Sequence, residues 1–412
     1  MAFLGLLTYF FFLYIRPQDW VPGFVGVPVD LIVYPLVLIA GILGKSPKSA
    51  GAVLKMPHFR IMVLWVIGVL LSNLSHGDTA MAAGTMYSYV RFAVIFFTFA
   101  LVVDDFEKLK RLILFMVLLT AVLAVEGIDQ KIHGIGWAGQ GLGWGQRIKW
   151  VGLWDGMNVL CLLFVISVPF LLQFIFGPWK GLVRLVAVVS APLIVTAIYL
   201  TNSRGGFMSL LVVVFLHFKS RIKSKWGLIF GMALVCLLIV AAPSRFGDFH
   251  DKDNSASYRV DMWTEAFEMV HYNPLFGIGK GQFLSYTSKL IAHNSFLEVM
   301  GETGLFGLMS WLALLYVSVK SLRACRPLIQ DPRHRSLADG LLIALAGYII
   351  TSFFVTAEFE LLYVLLALSM TVVRLSGYTV RFGFRDFKNV AFFQLAGMAV
   401  FFTITRVYFK VF

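Results

Sequence analysis

Arg204 lies in a short segment whose composition is typical of anion binding. The segment reads Thr201-Asn202-Ser203-Arg204-Gly205-Gly206 and separates two long apolar runs. Glycines such as Gly205 permit a tight turn and a close backbone approach. Ser203 and Asn202 could cap the following helix, whose first N–H groups would attract an anion. The alternative is an arginine that only reaches the membrane interface.

Arg259 is a second candidate for binding phosphate. It follows Tyr258 at the start of a stretch with helical periodicity that continues to Val270. An arginine there can be a solvated residue on a helix face. It can also donate two parallel hydrogen bonds to a diphosphate, which suits a guanidinium better than an ammonium. Two arginines at one site would favour the second interpretation.

His293 could act as a base, because it immediately precedes a helical pattern. The helix dipole disfavours an imidazolium at that end and leaves a neutral ring that accepts a proton. A nearby diphosphate would have the opposite effect, so the sequence does not decide the sign, and a structural role is the alternative. Glu298 and Glu302, in the same pattern, could orient His293 or an arginine, or be capping or solvated residues.

The segment Asn273–Gly281 is rich in glycine but does not match a nucleotide-binding loop. No strand precedes it, and its glycine spacing fits neither a P-loop nor a dinucleotide fingerprint. It predicts a turn that returns the chain to the membrane, with a possible part in a lipid-headgroup pocket. The three cysteines show no metal-ligand spacing, and we expect no metal site. Asp248, Asp251 and Asp253 lie in a polar run and form the nearest approach to an acidic cluster.

The composition places these residues in a membrane protein. The chain has 412 residues, of which 59% are hydrophobic and 14% charged, and its mean hydropathy is +0.82. Its apolar runs are long enough to cross a hydrocarbon core of about 30 Å as helices. We therefore predict an all-α polytopic fold whose first run is a retained helix. The twelve predicted spans lie near residues 1–15, 29–44, 59–75, 86–103, 109–126, 156–176, 183–201, 205–218, 226–242, 304–320, 338–355 and 358–373.

Charge sets the predicted orientation. The net charge is +13, but the basic residues are dispersed between apolar runs, which argues against nucleic acid as a partner. Most of them fall in the short loops that face the cytoplasm if the N-terminus is cytoplasmic. Residues 127–155 and the large loop 243–303 are then periplasmic, between membrane parts 1–242 and 304–412. Residues 390–409 could span the membrane or lie along it.

The loop 127–155 could form a basic and aromatic rim at the membrane surface. It contains Arg147 and Lys149 and four tryptophans at the interface: Trp137, Trp144, Trp150 and Trp154. An aromatic belt that only anchors the loop is the alternative. Because long loops in compact proteins are uncommon unless they are functional, we expect the chemistry itself in the loop 243–303.

Four motifs, in this order and spacing, resemble the O-antigen ligase superfamily, which includes O-antigen ligases, O-antigen polymerases and bacterial protein O-oligosaccharyltransferases. They are Ser203-Arg204-Gly205-Gly206, Arg259 with Trp263, Asn273–Gly279, and His293 followed after ten residues by Gly304. The resemblance covers about residues 185–325 and is strongest to the ligases. Met208 stands where the family's arginine motif has leucine, and methionine is a flexible apolar substitute.

The resemblance implies a GT-C-type, metal-independent, inverting glycosyltransferase of the bacterial inner membrane with a periplasmic active site and no cofactor. The implied donor is a glycan on undecaprenyl diphosphate, and the predicted acceptor is lipid A-core. Arg204 and Arg259 would bind the diphosphate, and His293 would be the base. We assign further substrate-binding roles to Ser203, Gly205, Tyr258, Asn294, Glu298, Arg147 and Lys149.

Other functions remain open at this level. A growing polymer or a protein could replace lipid A-core as acceptor, as in the other branches of the superfamily. A transporter of lipid-linked glycans should show ionisable residues near the membrane midplane and two halves related by a repeat, and the sequence shows no such repeat. A non-catalytic scaffold would tolerate loss of Arg204 and His293.

Overall fold

The computed structural model describes residues 2–44, 47–221, 229, 232, 254–287 and 290–411, and the regular structure in this part of the chain is helical. The predicted all-α class is confirmed. The helices are α1 Ala2–Tyr14, α2 Pro17–Trp20, α3 Val29–Leu43, α4 Pro47–Leu54, α5 Pro57–Leu74, α6 Thr79–Val102, α7 Phe106–His133, α8 Met157–Phe176, α9 Leu182–Leu200, α10 Arg204–Arg221, α11 Asn254–Tyr272, α12 Phe283–Thr287, α13 Ser295–Cys325, α14 Pro332–Thr351, α15 Glu360–Leu375 and α16 Phe384–Val411. Short 3₁₀ turns occur at Gly152–Trp154 and Arg326–Leu328.

Within the described residues, seven helices are long and apolar enough to cross a membrane: α5 to α9, α13 and α16. The polytopic prediction is therefore confirmed. Five further predicted spans coincide with helices α1, α3, α10, α14 and α15, while the predicted span 226–242 lies outside the described residues. Residues 390–409, whose placement the sequence leaves open, belong to α16, which has the length and composition of a span.

The chain forms two compact units, each discontinuous in sequence. Unit 1 comprises Met1–Lys45, Val102–Asp248 and Cys325–Thr351, and unit 2 comprises Ser46–Leu101, Phe249–Ala324 and Ser352–Phe412. The predicted division into 1–242, 243–303 and 304–412 follows chain order instead, and it remains a prediction.

Unit 1 is built around α8, which is mostly buried. This helix contains no charged residue and packs against α7, α9, α10 and α14. A helix that is apolar on all sides is expected inside a bundle rather than at its surface. A hydrogen bond of 3.0 Å between the Thr120 and Ser167 hydroxyls joins α7 to α8 in this core. The packing of these helices holds the loop between α7 and α8 beside the turn between α9 and α10.

Contacts between loops and helix ends of unit 1 agree with the predicted alternation of membrane sides. The Trp154 indole, in a loop predicted to be periplasmic, donates a hydrogen bond of 2.9 Å to the Leu13 carbonyl near the end of α1. The Trp179 indole, in a loop predicted to be cytoplasmic, donates at 2.8 Å to the Ser336 hydroxyl near the start of α14, which is predicted to be on the same side. Segments predicted to share a side thus contact each other. Which side faces the periplasm stays a prediction.

Unit 2 has α15 at its core. Thirteen of its residues are buried, and the Tyr363 hydroxyl accepts a hydrogen bond of 2.6 Å from the Trp65 indole of α5. Phe92 of α6 stacks on the Tyr363 ring with 4.7 Å between centroids. The polar helix α11 packs on α16, where the Trp263 and Phe401 rings meet edge to face. These contacts hold α11, which carries Arg259, against the hydrophobic part of the unit.

Candidate functional site

The turn before Arg204 has the local geometry that its sequence predicts. Asn202 is in the left-handed region with φ of 46°, and α10 begins at Arg204. The Ser203 hydroxyl accepts a hydrogen bond of 3.2 Å from the Gly206 N–H, so Ser203, of the two predicted candidates Ser203 and Asn202, is the N-cap. A Cβ at Gly206 would lie 2.1 Å from the Cys161 sulfur of α8, so glycine is required for this close packing. Arg204 itself is exposed at the first residue of the helix.

Arg147 supports this turn from the loop between α7 and α8. Its side chain is buried, and Nε donates to the Thr201 carbonyl at 2.5 Å while Nη2 donates to Asn158 Oδ1 at 2.6 Å. Lys149 is half-buried and donates from Nζ to Asp155 at 2.8 Å. Both predicted acceptor-binding side chains therefore have partners within unit 1. Acceptor binding by either remains a prediction.

The four tryptophans of this loop do not share one environment. Trp137 and Trp144 are exposed, as expected at an interface, but Trp150 and Trp154 are fully buried. Their indoles donate to carbonyls near the end of α1, at 3.2 Å for Trp150 and 2.9 Å for Trp154. Trp150 and Trp154 are therefore inside unit 1 and not on an exposed rim, because indole N–H groups in a core seek carbonyl partners that only the tertiary structure supplies. Whether the four tryptophans lie at the membrane interface remains a prediction.

His293 is held in an unusual conformation in unit 2. Its φ is 49°, in the left-handed region that few residues other than glycine adopt, and such backbone is common at functional sites. Asn294 fixes the start of the helix that follows, because its Oδ1 accepts hydrogen bonds of 3.0 and 3.2 Å from the N–H groups of Phe296 and Leu297. Asn294 is thus the cap of α13. Its assigned contact with substrate is untested.

Arg259 lies near His293, as the sequence predicts for two residues of one site. Trp263, four residues after Arg259 and so on the same helix face, donates a hydrogen bond of 3.0 Å to the Ala292 carbonyl. Burial lowers the pKa of His293 from 6.5 to about 4, and the positive charge of Arg259 contributes to this lowering. The ring is therefore neutral at neutral pH and can accept a proton. Tyr258, adjacent to Arg259, is exposed.

The glutamates of α13 have partners that the sequence does not indicate. Glu302 accepts a hydrogen bond of 2.6 Å from Lys280 Nζ, and the same ammonium lies 3.2 Å from Glu358. Glu298 instead accepts a hydrogen bond from the Thr356 hydroxyl. We call Lys280, Glu302 and Glu358 the Lys280 cluster.

Burial disfavours the charged form of Lys280, but the carboxylates of Glu302, Glu358 and Glu298 outweigh burial and raise the pKa of Lys280. The Lys280 side chain is 11% exposed, and it is therefore a buried ammonium that depends on its carboxylate partners. Sequence analysis missed this role because Lys280 lies in a segment that predicts only a turn.

The turn Asn273–Gly281 packs against a break in α13. Gly304 interrupts that helix with φ of 65° and ψ of −165°, and a Cβ there would lie 2.5 Å from the Leu275 carbonyl carbon. Four backbone hydrogen bonds join the turn to the broken helix: Ile278 to Gly301 at 3.1 Å, Gly279 to Glu302 at 3.0 Å, Leu305 to Pro274 at 2.9 Å and Phe306 to Leu275 at 3.2 Å. These hydrogen bonds pair backbone N–H and carbonyl groups that the break in α13 would leave unpaired. They explain why the Asn273–Gly279 motif occurs together with the motif that ends at Gly304.

The predicted site residues divide between the units. Ser203, Arg204, Gly205, Arg147 and Lys149 belong to unit 1, and Tyr258, Arg259, His293, Asn294 and Glu298 belong to unit 2. Each group is assembled around one turn or helix end. The meeting of Arg204 with Arg259 and His293 remains a prediction. No cluster of three metal-binding side chains occurs among the described residues, and Asp248, Asp251 and Asp253 lie outside them.

Comparison with known protein families identifies the domain that carries these residues. Residues 185–312 match a family model described as O-Antigen ligase, and this range includes Arg204, Arg259, His293 and Gly304. Comparisons with curated proteins and with solved structures found no match. The predicted resemblance to the superfamily is confirmed, and its particular member is not resolved. The chain is an all-α polytopic membrane protein, and its residues 185–312 match the family model described as O-Antigen ligase.

Proposed function

We propose that the protein is a glycosyltransferase of the bacterial inner membrane that moves O-antigen from undecaprenyl diphosphate to lipid A-core on the periplasmic side. The family match supports chemistry of the ligase or polymerase type. The observation that carries the proposal is His293, a neutral ring with a lowered pKa, held by the start of α13 near the positive charge of Arg259. A base beside a cation suits attack on an anionic leaving group.

In the proposed reaction, a hydroxyl oxygen of the acceptor forms a bond to the anomeric carbon of the donor sugar. His293 accepts the hydroxyl proton, and the bond from the anomeric carbon to the diphosphate oxygen breaks with its electron pair on oxygen. Arg204 and Arg259 stabilise the charge of the departing undecaprenyl diphosphate. Attack opposite the leaving group inverts the anomeric carbon, as expected of a GT-C-type enzyme. Two guanidinium groups would replace a metal ion in this role.

Donor binding would strengthen the base. Arg259 lowers the pKa of His293, so a diphosphate bound to Arg259 offsets that positive charge and favours the imidazolium. The ring would then accept a proton more readily once the donor is present. This coupling would restrict activation of the acceptor hydroxyl to complexes that contain a leaving group.

The remaining residues have supporting roles in the proposal. Ser203 and Gly205 shape the start of α10, where N–H groups and Arg204 face a phosphate together. Lys149 binds phosphorylated core sugars, while Arg147 acts through the turn that it holds. In unit 2, Asn294 maintains the conformation of His293. Tyr258 and Glu298 bind sugar hydroxyls.

Transfer by purified protein tests the proposal. Given undecaprenyl-diphosphate-linked O-antigen and lipid A-core, the wild type should form a ligated product visible as a gel shift. Arg204→Ala, Arg259→Ala and His293→Ala should abolish or greatly slow it, whereas His271→Ala, a substitution of an exposed histidine on α11, should not. EDTA should have no effect. Activity that EDTA removes and magnesium restores would contradict the mechanism.

The acceptor arms of the same assay separate the branches of the superfamily. Lipid-linked polymer that lengthens without lipid A-core would identify a polymerase, and glycan transfer to a pilin-like peptide would identify a protein glycosylating enzyme.

The orientation of the protein in the membrane needs its own measurement in spheroplasts. Ser285→Cys should react with a membrane-impermeant thiol reagent and Ser224→Cys should not; the reverse pattern would place the site in the cytoplasm.

A further inference from the structure

A cavity of about 390 Å³ lies in unit 2, and its lining is mostly polar and does not include His293. It is bounded by the end of α5, the loop to α6, the turn at Gly279 and the helix α12. Its size falls in the range of roughly 300–1,000 Å³ that small-ligand sites have. Both the α5–α6 loop and the Gly279 turn are predicted to be periplasmic, where the glycan is handled.

Asn73 gives this cavity an unsatisfied hydrogen-bond donor. The residue is 1% exposed and lines the cavity, and its Nδ2 has no hydrogen-bond acceptor in the part of the chain that the structure describes. A buried amide without a partner costs free energy, which a ligand oxygen would recover. Gly279 keeps this position accessible, since a Cβ there would lie 2.9 Å from Asn73 Oδ1 and 3.1 Å from Gln282.

The lining combines donors and acceptors. Asn73 and Gln282 offer amide groups, and Asp78 offers a carboxylate. The His76 Nε2 lies 2.7 Å from the Gly277 carbonyl and donates there, so Nδ1 is the ring nitrogen that is left for another partner. No lysine or arginine occurs among the lining residues that the structure describes. Such a set matches the hydroxyls of a sugar and lacks the cations that a phosphate would require.

The cavity is joined to the segment that carries the proposed base. The N–H of Gly279, in the cavity wall, donates a hydrogen bond of 3.0 Å to the Glu302 carbonyl. The hydroxyl of Ser72, next to Asn73, donates at 2.6 Å to the same carbonyl. Glu302 lies seven residues after Ser295, which is about 10 Å along a helix. An extended glycan with its reacting sugar at His293 could therefore place another sugar unit at the cavity.

We propose that this cavity is a subsite for one pyranose unit of the glycan, with Asn73 and Gln282 donating hydrogen bonds to its hydroxyls. The inference rests on the proposed function for the origin of that sugar, but the cavity's preference for a neutral polyol over an anion follows from its lining. Its task is to fix the register of the glycan relative to His293.

Ligand-observed saturation-transfer NMR on the full chain in detergent micelles tests the subsite directly. The probes are the methyl glycosides of glucose, galactose and N-acetylglucosamine, with inorganic phosphate as the competing class. At least one glycoside should bind the wild type. Asn73→Asp, which removes the donor at nearly constant shape, and Gln282→Ala should each weaken binding about two- to tenfold, the contribution of one hydrogen bond.

Tyr286→Phe and Tyr272→Phe form a matched pair, because both tyrosines are exposed on unit 2 but only Tyr286 lines the cavity. Tyr286→Phe should weaken binding and Tyr272→Phe should not. Gln282→Ala keeps the test valid if the buried Asn73→Asp variant does not fold. Wild-type protein that binds phosphate but no glycoside, or variants that bind glycosides as tightly as the wild type, would overturn the proposal.

Kinetics then identify which sugar occupies the subsite. If Gln282→Ala raises the KM for the lipid-linked donor alone, the subsite binds a donor sugar. If it raises the KM for the acceptor alone, the subsite binds an acceptor sugar. Either result supports the subsite. Glycoside binding that depends on Asn73 in a protein without transferase activity would sustain the subsite while refuting the proposed function. Transfer that is insensitive to every cavity variant, together with unchanged glycoside binding, would refute the subsite alone.

Discussion

Replacing Arg259 by glutamine should raise the pKa of His293 by a limited amount. The pKa of His293 is lowered from 6.5 to about 4, first by burial and then by the charge of Arg259. At about 1.4 kcal/mol for each pH unit, this lowering disfavours the imidazolium by about 3 kcal/mol. Because burial is the larger cause, Arg259 accounts for less than half, about 1.5 kcal/mol at most. Arg259→Gln should therefore raise the pKa by about one pH unit at most.

The assay is the pH dependence of glycan transfer between about pH 3 and pH 8. A base must be unprotonated to work, so activity is present above the pKa and lost as the pH falls through it. The pH profile of kcat/KM reports the pKa of the free enzyme, so its acid limb should lie near pH 4 in the wild type. The profile of kcat reports the enzyme–substrate complex. Its acid limb should lie at higher pH, because the bound diphosphate favours the imidazolium. Arg259→Gln should move the kcat/KM limb upward, with a lower rate.

Arg323→Gln is the matched control, because Arg323 is an exposed arginine near the opposite end of α13. It should leave both acid limbs unchanged. Tryptophan fluorescence at each pH would show that the protein stays folded. A wild-type kcat/KM limb at or above pH 6.5, or an Arg259→Gln limb that does not move, would refute the argument that burial and Arg259 together keep His293 neutral.

Three further predictions concern stability and acceptor use. Lys280→Met should lower the free energy of unfolding by about 3–5 kcal/mol, since it leaves buried carboxylates unpaired, whereas Lys320→Met, at a more exposed ion pair, should cost about 1 kcal/mol or less in thermal denaturation. Equal effects would contradict the buried cluster. Gly304→Ala should impair folding because its φ is positive and the Cβ would clash, while Gly397→Ala, with open space around it, should be tolerated in the same expression and melting assays. Lys149→Ala should raise the KM for lipid A-core at unchanged donor KM; a raised donor KM would refute its acceptor role.

Several features of the protein follow from local sequence. Long apolar runs must be helices in a bilayer, because no water pairs their backbone groups there. Ser203 is predicted as a cap because its hydroxyl reaches an N–H only three residues later, and the structure contains that bond. The proximity of Arg259 to His293 is predicted from family motifs, and the described structure agrees. Periodicity alone would not have paired them.

Other features depend on residues that are far apart in the chain, and only the tertiary structure decides them. The sequence predicts only that Lys280 is part of a turn, but in the structure its ammonium lies beside Glu358. The sequence predicts an interfacial Trp150, but in the structure its indole is buried and donates to a carbonyl at the end of α1. Gly304 has no local reason to break a helix; the reason is the turn at Leu275 that packs into the break. Hydropathy specifies which segments are helices, since that depends on each segment's own composition. Helix packing then specifies which polar groups meet, because a buried donor or ion is stable only beside a partner from elsewhere in the sequence.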